Sequence, residues 1–188
     1  PARAMAARGL VPLPPAEQLA VLYQLSLDAD ASLAMSARNT AVGLPDKMLS
    51  GALVDPAMDP RVLDLFAELV GDKKPAFEAI VTNAAVADQT IARLATRANA
   101  AEIERIAANE QRLLRHPEII AAMYTNKQAR MSTVDRAVEL AVRNNIRVPG
   151  LAAWDEIAAA IGSAPRAAEQ DDALFASAVA SLGTDDSV

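Results

Sequence analysis

The feature that most constrains this chain is its resemblance to itself at a fixed interval. Pro45, Asp88 and Ser132 each open a stretch with helical apolar spacing, and they stand 43 and 44 residues apart. Pro75 and Pro117, 42 apart, open two further helical stretches that both close on the dipeptide Thr-Asn, at Thr82-Asn83 and Thr125-Asn126. Asn39, Asn83 and Asn126 are themselves 44 and 43 residues apart. Starts and stops therefore mark the same period, and a period between 20 and 50 residues is the sign of stacked supersecondary units that cannot bury their apolar faces alone.

Each unit reads as about three short helices. Helices are expected from about Pro15 to Leu27 and Asp30 to Ala41, then from Pro45, Pro60 and Pro75, from Asp88, about Ala100 (AAEIERIAANEQ) and Pro117, and from Ser132, about Leu151 and about Glu169. Proline is tolerated in a first turn, where no amide donor is needed, and Asp28 or Asp30 is a suitable cap for the second helix. Gly71 is placed to end the helix that begins at Pro60. Sustained period-2 alternation and Asn-Gly or Asp-Gly turns are missing, so strands are not expected. Residues 1–14, with Pro12 and Pro14, read as a linker or flanking segment. Residues 15–182 read as a helical-repeat domain of a partial unit (15–41), two clear units (45–83 and 88–126) and a looser one (132–182), and 183–188 as a tail.

Composition fits many thin helices in close contact: 52% of the 188 residues are hydrophobic and only 3% aromatic, so the apolar mass is Ala, Leu, Val and Ile. The start at Pro1 suggests a processed chain or a fragment. No cysteine is present, which removes disulfides, thiolate metal sites and thiol nucleophiles together and makes a reducing cytoplasm the default. No apolar run reaches the roughly 18 residues of a membrane span. The net charge of −6 is uneven: residues 86–147 hold 10 basic and 7 acidic side chains, and 148–188 hold 1 and 7. That mild basic excess argues against nucleic acid, whose phosphates demand a concentrated basic face.

Candidates for chemistry are sparse. The single histidine, His116, has neither a second histidine nor a cysteine to form a metal site, and it stands at a helix entry where a solvated or capping role suffices. Acidic neighbours such as Glu102 and Glu104, or Asp171 and Asp172, point in different directions on a helix. Glycines are dispersed, with no phosphate-cradling loop and no Gly-x-Ser-x-Gly. Neither a cofactor nor a metal is expected. Trp154, the only tryptophan, reads as core of the last unit, or as an interface anchor if exposed.

Three short helices in about 43 residues resemble the armadillo/HEAT-like α-solenoid superfamily over roughly residues 15–182. The resemblance implies an all-α, right-handed solenoid acting as a non-catalytic scaffold or adaptor that binds another protein or peptide. In armadillo proteins asparagines along the third helices hold the backbone of an extended peptide. The resemblance therefore implies that role for Asn83, Asn126 and Asn39, although the tryptophans of that groove are missing here. The alternative is that these asparagines end helices, as a residue tolerant of left-handed backbone can. Arg93, Arg97 and Arg136 form a second set, Arg136 standing 43 residues after Arg93. They are suited to forking onto acidic side chains of a partner, or to pairing on a solvated ridge. A nucleic-acid-binding HEAT-like module and, further off, an enzyme with a site between repeats are the alternative functions. Monomer and dimer both stay open.

Overall fold

The structure is a computed structural model that describes residues 2–163. Among these it contains twelve α-helices and no strand. They are α1 (Ala2–Ala7), α2 (Pro15–Ser26), α3 (Ala31–Val42), α4 (Asp46–Leu53), α5 (Pro60–Val70), α6 (Lys74–Thr82), α7 (Asp88–Ala95), α8 (Ala100–Ala107), α9 (Glu110–Arg115), α10 (Glu118–Thr125), α11 (Met131–Arg143) and α12 (Trp154–Ser163). Among the described residues no helix is long and apolar enough to cross a membrane.

Local chemistry sets most of the starts. Asp30 caps α3 by accepting from the amides of Ser32 and Leu33, and Asp59 caps α5 by accepting from Arg61 while Pro60 fills the first position. Asn99 and Glu102 form a reciprocal capping box at the start of α8. Gly71 ends α5 as expected, but at φ −66° rather than in the left-handed region. What its missing side chain permits is close approach: a Cβ there would lie 2.3 Å from the Ala67 carbonyl oxygen and 2.9 Å from Leu94 Cδ2 of α7.

Helices this short are marginal alone in water, so packing holds them. α1 packs on α3, α4 on α6 and α7 on α10, and α5 sits among α2, α3, α6 and α7. The buried side chains form one continuous core that includes Leu19, Leu49, Phe66, Phe77, Ile91 and Ile103 and runs on to Trp154, so the tryptophan is core. Leu49, Ile91 and Val134, the fourth residues after the caps Pro45, Ala87 and Arg130, are all buried.

Three expectations change. Residues 1–14 are not simply a linker, because α1 lies against α2 and α3 with Ala7 fully buried and its carbonyl accepting from Thr40 Oγ1 at 2.6 Å. Six residues of mostly alanine give no apolar period, and alanine is small enough to pack tightly without one. The single helix expected from Ala100 is two, since Asn109 turns its side chain onto the Arg112 amide and caps α9. Such local side-chain bonding competes with the helix it interrupts. The helix expected from about Leu151 opens at Trp154. The helix expected from Glu169, the end of the looser unit and the tail at 183–188 lie outside the described residues.

Candidate functional site

Asn83 and Asn126 are tied inward. Asn83 is 3% exposed, and its Nδ2 donates to the carbonyls of Leu53 (2.7 Å) and Asp55 (2.9 Å), while its Oδ1 accepts from the Ala85 amide. Asn126 is 8% exposed and does the same with Ala95 (2.8 Å), Ala98 (2.7 Å) and the Gln128 amide. Each therefore fastens the end of one helix pair, α4 to α6 or α7 to α10. An amide nitrogen has two protons, and both are taken. This corrects the expectation that these side chains hold a partner's backbone. It also corrects the conformational argument, because both are extended, at φ −69° and −79°. Asn39 is not their equivalent: it lies inside α3, exposed, and Thr40 beside it makes the tie to Ala7.

The arginines divide. Arg93 is paired with Asp64 of α5, whose Oδ1 also accepts from Thr90 Oγ1 at 2.5 Å, and Arg97 donates to the Ala67 carbonyl at 2.6 Å. Arg136 is exposed on α11, and its side chain has neither hydrogen bond nor ion pair among the described residues. These groups occupy two corresponding seams. The first, between α5 and α7, is an open depression of ≈ 530 Å³ lined by Asp64, Ala67, Glu68, Thr90, Arg93, Leu94 and Arg97, among others. The second, between α8 and α11, is ≈ 320 Å³ and is lined by Glu104, Ala107, Ala108, Thr133, Arg136, Ala137 and Leu140, with Glu110 and Leu113 from α9. Thr90 and Arg93 follow the cap Ala87 by three and six positions, as Thr133 and Arg136 follow Arg130. Asp64 and Glu104 each stand five after their caps, Asp59 and Asn99. A third depression, ≈ 450 Å³, adjoins the first, with Tyr23, Leu27 and Leu65 beside Arg38, Arg61, Asp64, Glu68 and Arg93. Leu27 is 64% exposed there.

Thr90, Thr133 and Asp64 do not stand out as candidates from composition or charge. The signal for the threonines is the shared Thr-x-x-Arg of TIAR and TVDR, read together with the 43-residue offset.

One buried charge cluster lies elsewhere. Arg112 of α9 is 5% exposed and donates to the carbonyls of Val81 (3.0 Å) and Asn83 (3.3 Å), with its Nε 3.2 Å from Asp88 Oδ1. Arg115 donates to both oxygens of Asp88 at 2.6 Å. The hydrogen bond from Arg115 is the chief reason the Asp88 carboxyl titrates below its ordinary 3.8. Burial opposes the shift, and the charges of Arg115, Arg112 and His116 add to it. Burial lowers Arg112 from its usual value. His116 caps the end of α9 with Nδ1 3.3 Å from Glu118 Oε2. This cluster clamps α9 against the end of α6 and the start of α7. Among the described residues no group of three or more His, Asp or Glu side chains is placed to hold a metal.

The class these observations define is an all-helical fold over the described residues, with helices fastened in corresponding pairs. Comparison with protein-family models, with curated proteins and with solved structures gives no match.

Proposed function

We propose that the chain is a right-handed α-solenoid of the armadillo/HEAT-like kind, with about three helices per ~43-residue repeat, serving as a non-catalytic protein-binding scaffold or adaptor. The observation that carries this reading is the recurrence of the asparagine tie, with the same donors and the same kinds of acceptor, in 46–83 and 88–126. The starts of α1, α4, α7 and α11 at Ala2, Asp46, Asp88 and Met131 support it, since they imply a first unit opening at residue 2. Stacked units offer extended surface rather than a single pocket, and the link from that surface to partner binding is fold-level analogy. The depression beside Leu27, lined by apolar side chains and by charges of both signs, has the make-up of a binding patch.

The nucleic-acid reading draws little from the structure, because Arg93, Arg112, Arg115, Arg130 and Arg143 of the basic stretch all lie against carboxylates. Affinity capture from the source organism's lysate tests the proposal, run with the native chain beside Leu27→Asp, a change at an exposed position that leaves the core intact. A protein captured at fixed stoichiometry and lost with Leu27→Asp supports it. Capture of nothing, or capture of nucleic acid with a steep salt dependence, counts against it.

A further inference from the structure

The two seams share a frame but are not satisfied alike. In the first, the carboxylate of Asp64 accepts from Thr90 and pairs with Arg93. In the second, the corresponding carboxylate, Glu104, is drawn to Arg130 at 2.5 Å instead. Thr133 is left 2% exposed with a hydroxyl that has no hydrogen-bond partner, and Arg136 is left without a carboxylate among the described residues. A buried hydroxyl without a partner costs free energy and calls for an explanation. The first seam shows what this Thr-x-x-Arg pair takes when it is filled. Thr133 also lies in the first turn of the thirteen-residue α11, where the helix dipole favours an anion.

We infer that the depression between α8 and α11 is a carboxylate-binding subsite, in which an aspartate or glutamate side chain of a partner protein accepts from Thr133 Oγ1 and pairs with Arg136, as Asp64 does with Thr90 and Arg93. The volume of ≈ 320 Å³ admits such a side chain. Two native carboxylates face the site: Glu104, whose charge is balanced by Arg130, and Glu110, at the first turn of α9. They set a modest affinity, and they make Glu104 the natural competitor. That the carboxylate comes from a protein rests on the interaction-module reading; the subsite itself does not, nor does it share residues with the depression beside Leu27.

The test is a nitrogen-15 NMR titration of the full chain, following the Arg136 Nε–Hε and Thr133 amide resonances. The probe is a blocked pentapeptide with one central aspartate and otherwise alanine, beside its asparagine counterpart. The expected result is a saturable shift with the aspartate peptide only, half complete at about 1–10 mM. Arg136→Gln weakens it about tenfold or abolishes it, Thr133→Val weakens it roughly 2- to 10-fold, and Glu104→Gln strengthens it. Equal shifts with both peptides, no shift, or a shift that survives Arg136→Gln overturns the inference. An Arg136 resonance that moves in the free protein on Glu104→Gln, without peptide response, gives the arginine to Glu104 and overturns it as well. Movement on Asp171→Asn with Asp172→Asn gives it to the chain's own acidic end and overturns it likewise. Success of the titration with failure of lysate capture leaves the subsite standing and removes the module.

Discussion

The seam between α5 and α7 and the seam between α8 and α11 have nearly the same residue frame and opposite states of satisfaction. In the first, Asp64 takes up Thr90 and Arg93, and Arg97 is met by the Ala67 carbonyl. In the second, Leu140 stands where Arg97 does, Glu104 is engaged elsewhere, and α9 brings Glu110 and Leu113 alongside. The difference teaches that repetition of a frame fixes where polar groups converge, while the residues around that frame, such as Arg130, decide whether they converge on each other.

α9 is one of the features that distinguish the second seam, and releasing it is the strongest way to break the comparison. Arg112→Met should lose about 3 kcal/mol in urea unfolding, because it strips donors from two buried carbonyls and one partner from Asp88. A loss under about 1 kcal/mol would mean that α9 is held by apolar contacts alone. Next in size, Asn83→Ala and Asn126→Ala should each lose about 2–3 kcal/mol, since each orphans two carbonyls. Values that agree within about 1 kcal/mol sharpen the equivalence of the two units, and a wide gap breaks it.

The pH dependence of the α9 clamp follows from Asp88. Its carboxyl is depressed in the folded chain, so its contribution is full above the ordinary 3.8 and is lost as pH falls through the folded value. Asp88→Asn should therefore lose about 2 kcal/mol at pH 7, and the gap from the native chain should close below about pH 4. A gap unchanged at pH 3 in chemical denaturation would show that the charge is not what holds Arg115. The smallest effect is the most telling for the seams. Thr90→Val should destabilise by about 1 kcal/mol, whereas Thr133→Val, which removes a hydroxyl without a partner, should be neutral or stabilise by up to about 1 kcal/mol. Thermal melts showing equal losses for both would mean that the second hydroxyl is satisfied after all.

Much of this organisation is legible in the sequence where the signal is local. Pro15, Pro60, Asp30 and the Thr-Asn stops mark helix boundaries within a residue or two, because caps and proline act on their own neighbours. The helix at Ala2–Ala7 escapes such reading because six residues carry too little pattern, and the break at Asn109 because one side-chain bond decides it. The site is half legible. The interval between Arg93 and Arg136 is plain, but whether each meets a carboxylate depends on residues near thirty positions away. Likewise the asparagines are singled out by their spacing, yet their acceptors lie 28 to 31 residues back along the chain, a distance at which no local rule operates.

That same distance has a consequence for how the molecule comes into being. The Nδ2 bonds of both asparagines, and the bond from Thr40 to Ala7, reach backwards to backbone already synthesised. A growing chain can thus close each stretch of three or four helices on itself as soon as its last helix emerges from the ribosome, before the next stretch has emerged. Because the acceptors are main-chain carbonyls, side chains at Leu53, Asp55, Ala95 and Ala98 are not read by the fastening. Contacts this short in sequence form quickly, and a chain that secures its finished part first exposes less apolar surface to its neighbours while the rest is made.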